Sequence, residues 1–456
     1  MKGPKVVVLG AGSLFFGRQA LWSMLNSEVL REGTLALVDT DPERQDKMMR
    51  LARIAIDAAR SPLKLEGSTD RREVLKGADF VVLTFAARGV SFRGVDVETS
   101  AKYGIRMCGG DSIGPGGIFR TLRGLPQVAR AVADVRDLCP NAWVLNYINP
   151  TATIGIWLAR HGGVRAMALC DGHPMPYVKR RYMLWSGIIP DMEASTPEME
   201  DALDLRIAGV NHFTWMLSMK YRGRDVMQEL RRHIESLAKD EKDEGYSKTR
   251  FKHSCSLELW DVFGAYPTLT SHTKEYVRYW QAPGVAKGRI PPLTLFSPAE
   301  RQLRHDEMWR QVDGIVSGAA KPETFQAAFD RPDMATDIIE SMWARRGRRF
   351  YVNTPNQGAV TNLPDDSVLE LLCDLDMEGV RPLPVGAMPV GLRALQQQVL
   401  DTHELAAEAA VRHDRTLLRR AMLTDPLART IPDADAIIAE LLARERDALP
   451  PEWFSP

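Results

Sequence analysis

The sequence predicts an α/β protein with an N-terminal, Rossmann-like doubly wound sheet and a C-terminal domain of mixed strands and helices. Three observations predict this class. Short continuous apolar runs alternate with helical patterns in the first half, a glycine turn directly follows the first run, and the second half mixes strand-like runs with strong helices. We place the boundary at residue 195, so that residues 1–195 form the first domain and residues 196–456 the second.

The elements of the first half follow one another as a helix-covered parallel sheet requires. Runs rich in valine and leucine, without polar alternation, are typical of strands buried on both faces. The predicted elements are a strand at Lys5–Leu9, a helix at Leu14–Ser27, a strand at Leu35–Asp39, a long helix to about Ala59, a strand at Phe80–Thr84, a helix at Leu122–Cys139 and a strand at Ala142–Tyr147.

The second half reads differently. Asp204–Val210 and Met216–Tyr221 are strand-like, whereas Glu404–Leu423 and Asp433–Arg446 have helical patterns, the latter with Asp433 as its N-cap. The acidic, proline-containing stretch Pro190–Asp201 predicts a connector or an excursion loop.

The composition excludes several classes of protein. Apolar residues make up 45% of the chain and charged residues 26%, as in an ordinary globular protein. The 59 basic and 59 acidic residues cancel, whereas a binder of phosphate backbones normally carries a basic excess, so we expect no nucleic-acid partner. The longest apolar runs, near Val6–Leu9 and Phe80–Ala87, are too short to span a bilayer, so we expect no membrane partner.

Cysteine usage indicates the compartment. The 5 cysteines are widely spaced and form no CxxC pair, which favours a reducing environment over a disulfide framework. Lys2 and Lys5 precede an apolar run that imitates a signal peptide, but no cleavage-site pattern follows, and Gly10 and Gly12 suit a tight turn better. We therefore expect a cytoplasmic protein.

The turn after the first strand predicts a dinucleotide-binding loop. Gly10, Gly12 and Ser13 lie between this strand and the next helix, where glycines let the backbone approach a pyrophosphate at the helix N-terminus. Phe15 replaces the third glycine of the usual motif, so the turn alone is weak evidence. Asp39 ends the next strand, where a carboxylate binds the ribose hydroxyls of NAD and disfavours NADP.

A second glycine-rich segment covers residues 109–117, with 5 glycines in 9 residues. Such density fits backbone packed against a ligand and fits a mobile loop equally well. Arg120 and Arg123 follow it, and together with Arg88 they either bind an anionic group or pair with surface acids.

Cys170 and His212 are candidate metal ligands. A thiolate and an imidazole suit a borderline divalent cation. Taken alone, a buried cysteine is more often part of the core, and a single histidine is more often structural.

These segments occur together in an order that resembles glycoside hydrolase family 4, the NAD- and divalent-metal-dependent glycosidases. The resemblance covers nearly the whole chain. The matching motifs are V-L-G-A-G-S at 8–13, D-S-I-G-P-G-G-I-F-R-T-L-R at 111–123, L-N-Y-I-N-P at 145–150, L-C-D at 169–171, G-V-N-H at 209–212, G-A-Y-P at 264–267, V-N-T-P-N-Q-G-A-V-T-N-L-P at 352–364, G-V-R-P-L-P-V-G at 379–386 and H-E-L-A-A-E-A-A at 403–410.

The resemblance implies a fold like that of lactate and malate dehydrogenases and a role for each matching residue. Cys170 and His212 correspond to the ligands of a divalent metal, usually Mn²⁺, and Asn149 and Asn211 to residues that position the substrate. Asp171 corresponds to a general acid and Tyr266 to a tyrosine base. Gly10, Gly12, Ser13 and Asp39 correspond to the NAD loop. Relatives are dimers or tetramers, so a homodimer or homotetramer is implied.

The implied reaction is hydrolysis of an α-glycoside by transient oxidation. NAD⁺ takes a hydride from C3, the metal stabilises the enediolate formed when C2 loses its proton, the leaving group departs from C1, and water adds before the hydride returns. Such enzymes are an exception to the two-carboxylate scheme of most glycosidases. A tyrosine needs a nearby cation to act as a base near neutral pH.

Several alternatives stay open from the sequence. His173 is either a further ligand or acid or a plain loop residue, Tyr246 is a second candidate base, and His272 and Glu275 either line the site or lie on a solvated helix face. The competing functions are a dehydrogenase of the malate or lactate type and a non-catalytic NAD-binding protein. The sugar is also open, since glucosides, galactosides, uronides and 6-phospho-glucosides all have relatives in this family.

Overall fold

The computed structural model confirms the predicted fold class. It describes residues 2–14, 17–86, 88–239, 241, 251–281, 293–322 and 334–455. The strands are β1 Lys5–Leu9, β2 Thr34–Val38, β3 Lys64–Ser68, β4 Phe80–Leu83, β5 Trp143–Asn146, β6 Arg165–Ala168, β7 Leu203–Val210, β8 Phe213–Tyr221, β9 Arg224–Asp225, β10 Tyr266–Pro267, β11 Arg349–Pro355, β12 Val368–Leu375 and β13 Val380–Pro382.

Helices cover and connect these strands. They are α1 Gly17–Asn26, α2 Pro42–Ala58, α3 Arg72–Leu75, α4 Gly89–Lys102, α5 Gly114–Leu138, α6 Thr151–Trp157, α7 Tyr177–Trp185, α8 Pro197–Asp201, α9 Met227–Lys239, α10 Lys252–Phe263, α11 Thr270–Thr273, α12 Pro298–Val316, α13 Met334–Trp343, α14 Val390–Arg412, α15 Arg415–Thr424 and α16 Ile431–Arg444. Within the described ranges, no helix combines the length and the apolar character needed to cross a membrane.

The described strands join in one 13-stranded sheet with the order β10-β8-β7-β12-β11-β6-β5-β4-β1-β2-β3, to which β13 adds at β12 and β9 at β8. The strands from β3 to β6 in this order are parallel. The continuous apolar sequences of β1, β2, β4 and β5 are buried as predicted, whereas β3 at the edge is polar and largely exposed. The later strands are antiparallel.

The sheet continues across the predicted domain boundary. Asn353 of β11 pairs with Ala168 of β6, and Glu370 of β12 pairs with Gly209 of β7. The division at residue 195 stays a prediction, because the sheet alone does not define two units.

Three predicted helices differ from the observed ones. The helix predicted over Asp433–Arg446 spans Ile431–Arg444, and its N-cap is Thr430, not Asp433, because the Thr430 hydroxyl accepts a hydrogen bond from the Asp433 N–H. The helix expected from Leu122 already begins at Gly114, because its glycines permit close packing: a Cβ on Gly117 would lie 2.5 Å from the backbone carbon of Ser112. The helix expected over Glu404–Leu423 divides into α14 and α15 at His413, whose left-handed backbone ends the first helix.

Candidate active site

The loop after β1 has the geometry of a phosphate-approaching turn. Gly10 has φ 95°, and a Cβ there would lie 2.7 Å from the backbone nitrogen of Phe85. The Oδ2 atom of Asp39 accepts a hydrogen bond of 2.8 Å from the backbone N–H of Gly12, and its Oδ1 accepts one of 3.0 Å from Asp41. Because a side chain on Gly12 would collide with Asp39, both glycines are required by the packing. Ser13 closes the turn, its N–H donating to Gly10; Phe15 lies outside the described residues.

A strained turn carries His212. Val210 and Phe213 are partners in the β7–β8 hairpin, which leaves Asn211 and His212 as its two-residue turn. His212 has φ 65°, a left-handed conformation that costs a residue with a side chain of order 1–3 kcal/mol.

Three donor groups converge around His212. One donor atom each of Asp111, His212 and His272 lies within 4.8 Å of the others. The rings of His212 and His272 stack with centroids 4.0 Å apart, and the Nδ1 atom of His212 is 3.0 Å from the hydroxyl of Ser112. Arg93 lies 3.3 Å from the carboxylate of Asp111. A carboxylate oxygen with two imidazole nitrogens fits a divalent first-row cation such as Mn²⁺.

Cys170 and Asp171 follow the carboxyl end of β6. Cys170 is buried and its thiol contacts the Asn211 side chain, although it is not part of the three-donor group. Burial raises the pKa of this thiol well above its usual value, and the carboxylates of Glu370 and Asp171 add to the effect. A bound cation would therefore have to displace the thiol proton. Asp171 is exposed.

The predicted base, Tyr266, lies in a different environment from these groups. It is fully buried on β10, its ring packs against Trp260 and Tyr182, and its hydroxyl finds no hydrogen-bond partner in the described part of the chain. Burial raises its pKa well above the usual value, and Tyr182 raises it further. The role of Tyr266 as the base stays a prediction.

Tyr276 is the tyrosine that reaches the site. Its hydroxyl donates a 3.1 Å hydrogen bond to the carbonyl of Asn211, within the His212 turn. Burial raises its pKa well above the usual value, and the nearby charges of Asp111 and Glu275 raise it further. These same charges show that it lies beside the candidate metal ligands. The second candidate, Tyr246, lies outside the described residues.

Glu275 organises the glycine-rich segment. Its buried carboxylate accepts hydrogen bonds of 2.6 Å and 3.0 Å from the backbone N–H groups of Gly109 and Gly110. The Nδ1 atom of His272 lies 3.7 Å from the same carboxylate. Both residues therefore line the site and do not lie on a solvated face. Within the segment, residues 109–113 form a loop whose backbone Glu275 holds beside Asp111, and α5 begins at Gly114.

Asn149 stands at the neighbouring strand end. Its Oδ1 atom accepts hydrogen bonds from Thr151, and its carbonyl accepts one of 2.9 Å from Arg120. Arg123, by contrast, is bound in the interior between Asp96 and Glu445 and has a structural role. Arg88 is exposed.

His173 is neither a free ligand nor a plain loop residue. It is fully buried, with Nδ1 2.6 Å from the carboxylate of Glu370 and Nε2 2.9 Å from the hydroxyl of Thr268. Both ring nitrogens already have protein partners.

Comparison with known proteins identifies the family. The description "Family 4 glycosyl hydrolase" matches residues 5–178, and "Family 4 glycosyl hydrolase C-terminal domain" matches residues 207–428. The chain belongs to glycoside hydrolase family 4. It is thus a glycoside hydrolase, which favours the glycosidase over the dehydrogenase and the non-catalytic binding protein.

Relatives of this family 4 enzyme cover it almost from end to end. An alpha-galactosidase of Bacillus subtilis is 29% identical over 98% of this chain and 99% of its own. An alpha-galacturonidase of the same organism is 27% identical over 96% of both chains. A solved 6-phospho-alpha-glucosidase from gut microorganisms, in complex with NAD and Mn²⁺, has a TM-score of 0.80 at 22% identity over 98% of this chain and 99% of its own.

The sequence of this glycoside hydrolase did not point to three residues of the candidate site. Asp111 lies in the glycine-rich segment, which fitted either backbone packed against a ligand or a mobile loop. Tyr276 follows the candidates His272 and Glu275, and Glu370 lies inside an apolar strand. The one signal in the sequence was the charged cluster H-T-K-E-Y at 272–276, and in the structure residues 273–277 are buried.

Proposed function

We propose that the protein hydrolyses α-glycosides by transient oxidation of the sugar, with NAD and a divalent metal such as Mn²⁺. The observation that carries the proposal is the convergence of Asp111, His212, His272 and Tyr276 on one strained turn. This turn lies in the sheet whose parallel strands also carry the glycine loop and Cys170 beyond their carboxyl ends, the edge where such sheets bind ligands.

The chain offers fitting residues for both groups. Gly10, Gly12 and Ser13 would hold the dinucleotide phosphates, since the backbone there is close-packed and no Cβ is tolerated on either glycine. Asp39 would receive the ribose hydroxyls, while keeping its bond to Gly12. When bound, NAD would supply a hydride acceptor for the transient oxidation of the sugar, and the metal would supply Lewis-acid stabilisation of the negative charge that develops on it.

The metal would be held by His212 together with Cys170, as the family resemblance implies, and by Asp111 and His272, whose donor atoms lie close to that of His212. Co²⁺ distinguishes these ligands without any turnover, because a thiolate ligand gives Co²⁺ an intense charge-transfer band. We expect the band in the unmodified protein and in the His272→Ala variant, but not in Cys170→Ser. A band that survives in Cys170→Ser would exclude the thiolate as a ligand.

The protein's own groups then perform the proton transfers. Tyr276, in place of Tyr266, removes the C2 proton, and a cation at the adjacent donor group would lower the pKa that burial has raised. Asp171 donates a proton to the leaving oxygen at C1, which its exposed position at the mouth of the β6 loop permits. Asn149 and Asn211 orient the sugar hydroxyls.

A hydrolysis panel tests the proposal. Purified protein is assayed with α- and β-nitrophenyl glucosides, galactosides, uronides and 6-phosphates, with NAD⁺ and Mn²⁺ each omitted in turn. Cleavage of an α-glycoside that requires both additions is expected, and the panel names the sugar. Steady NADH accumulation without cleavage, or cleavage that needs neither addition, would contradict the proposal. Sedimentation of the same preparation tests the proposed homodimer or homotetramer.

A further inference from the structure

A carboxylate lies inside the sheet directly beneath the His212 turn. Glu370 is an interior residue of β12, paired with Asn353 of β11 on one side and with Gly209 of β7 on the other. It is fully buried. A buried carboxylate is costly unless its oxygens are hydrogen-bonded, so its presence between two strands requires an explanation.

Both oxygens of Glu370 bind segments that carry proposed site residues. Its Oε1 atom is 2.6 Å from Nδ1 of His173, three residues after Cys170. Its Oε2 atom accepts a 3.0 Å hydrogen bond from the Nδ2 of Asn211, the residue before His212. One side chain thus connects the two segments that the metal proposal brings together.

The far side of His173 is also fixed. Its Nε2 is 2.9 Å from the hydroxyl of Thr268, and that hydroxyl is 2.7 Å from the hydroxyl of Thr214. The three side chains are buried. These hydrogen bonds fix the position of the His173 ring. Glu370 is therefore held by His173 on one side and by Asn211 of the turn on the other.

The Asn211 amide has one satisfied end and one open end. Its Nδ2 is bound to Glu370, whereas its buried Oδ1 has no hydrogen-bond partner among the described residues. A rotation that exchanged the two ends would place Oδ1 against the carboxylate oxygen, with two acceptors facing each other. Glu370 therefore determines which end of the amide is presented away from it.

We propose that Glu370 is a positioning residue that orients the Asn211 amide, so that its Oδ1 accepts a hydrogen bond from a hydroxyl of the bound sugar. The inference rests on the proposed function, since it assigns the ligand of Asn211 as a glycoside. Glu370 itself touches neither sugar nor metal. Its effect passes through Asn211, and His173 and Thr268 keep it in place.

A double-mutant cycle tests this path. In Glu370→Gln the side-chain volume is kept, but only one acceptor oxygen remains for two donors. We expect kcat/KM for the best glycoside of the panel to fall about 10- to 100-fold, as for other residues that orient a ligand-binding group. Asn211→Ala should cause a similar loss. Adding Glu370→Gln to Asn211→Ala should cost less than about 3-fold more, because the group through which Glu370 acts is already absent.

A purely structural role gives a different pattern. It would lower the thermal midpoint of both backgrounds and leave the cycle additive, so equal losses with and without Asn211 would overturn the proposal, as would full activity of Glu370→Gln. NAD affinity, measured by quenching of protein fluorescence, should be unchanged in every variant. If Glu370→Gln fails to fold, Glu370→Asp keeps the charge, shortens the side chain by one methylene and enters the same cycle.

The results distinguish a failure of the Glu370 assignment from a failure of the proposed function. If the unmodified protein cleaves a glycoside and the losses add, only the assignment of Glu370 is wrong. If the unmodified protein neither cleaves any glycoside nor binds any by calorimetry, the proposed function is wrong, and the assignment of Asn211 to a sugar fails with it.

Discussion

Exchanging Tyr276 or Tyr266 for phenylalanine distinguishes the tyrosine that acts as the base from the tyrosine that only packs in the core. Tyr276→Phe removes the hydroxyl that donates to the Asn211 carbonyl and keeps the ring, which stacks on Phe213 with centroids 5.0 Å apart. Tyr266→Phe removes a buried hydroxyl with no partner among the described residues. The two changes are chemically identical, so each is the control for the other.

The structure sets opposite expectations for the two variants. Loss of a general base costs about 10²- to 10⁴-fold in rate, equivalent to about 3–5 kcal/mol of activation free energy. We therefore expect kcat of Tyr276→Phe to fall by that factor, with a loss of only about 1 kcal/mol in the free energy of unfolding from one hydrogen bond. Tyr266→Phe should keep its activity. Its free energy of unfolding should rise by about 1–3 kcal/mol, because an unsatisfied buried hydroxyl is removed.

The assay is hydrolysis of the preferred glycoside, with and without deuterium at C2, alongside urea unfolding. A base that removes the C2 proton should give a primary isotope effect in the unmodified protein and in Tyr266→Phe. Retained activity of Tyr276→Phe together with an inactive but folded Tyr266→Phe would refute the reasoning and restore the assignment suggested by the G-A-Y-P motif.

Further predictions concern the glycine-rich loop and the helix behind it. In Gly109→Ala the new Cβ would lie 2.3 Å from Oε1 of Glu275, so we expect weaker Mn²⁺ binding, measured by electron paramagnetic resonance. The control variant Gly124→Ala, whose Cβ would meet nothing within 4 Å, should bind Mn²⁺ normally, and its free energy of unfolding should rise by about 0.5–1 kcal/mol. Equal Mn²⁺ affinities of the two variants would contradict this prediction. Burial lowers the pKa of His403 from 6.5 to about 4, while its Nε2 lies 3.0 Å from the Ser112 carbonyl. The unfolded chain therefore binds more protons between these values, so the free energy of unfolding should fall by about 3 kcal/mol as pH falls from 6.5 to 4. His403→Gln should reduce this slope in urea titrations, and an unchanged slope would assign the acid sensitivity to other groups.

The sheet was predictable because burial on both faces leaves a strong mark on the sequence. β1 and β4 are continuous apolar runs, and the Lys5–Leu9 prediction matches the observed strand. The start of α5 was not predictable, because glycines at 114, 116 and 117 normally disfavour a helix. Here tertiary packing against Ser112 requires small residues and outweighs the propensity.

The site was predictable only where its residues are neighbours in the chain. Asn211 and His212 share one turn, and the strand before Cys170 identifies it as a loop residue at the sheet edge. Tyr266 and Tyr276 are both fully buried, and only the three-dimensional course of the chain decides which hydroxyl reaches that turn. Glu370 could not be found, because a carboxylate in an apolar strand has meaning only beside its partners.

Solvent deuterium incorporation tests the oxidation–elimination account most directly. The preferred glycoside is hydrolysed in D₂O with NAD⁺ and Mn²⁺, and the released sugar is examined by proton NMR. Because Tyr276 would exchange the abstracted proton with solvent, the account predicts deuterium at C2 of the released sugar. It predicts no deuterium at the other carbon positions of the unreacted glycoside. Complete hydrolysis with hydrogen retained at C2 would show that the bond is cleaved without C2 deprotonation, and would contradict the account.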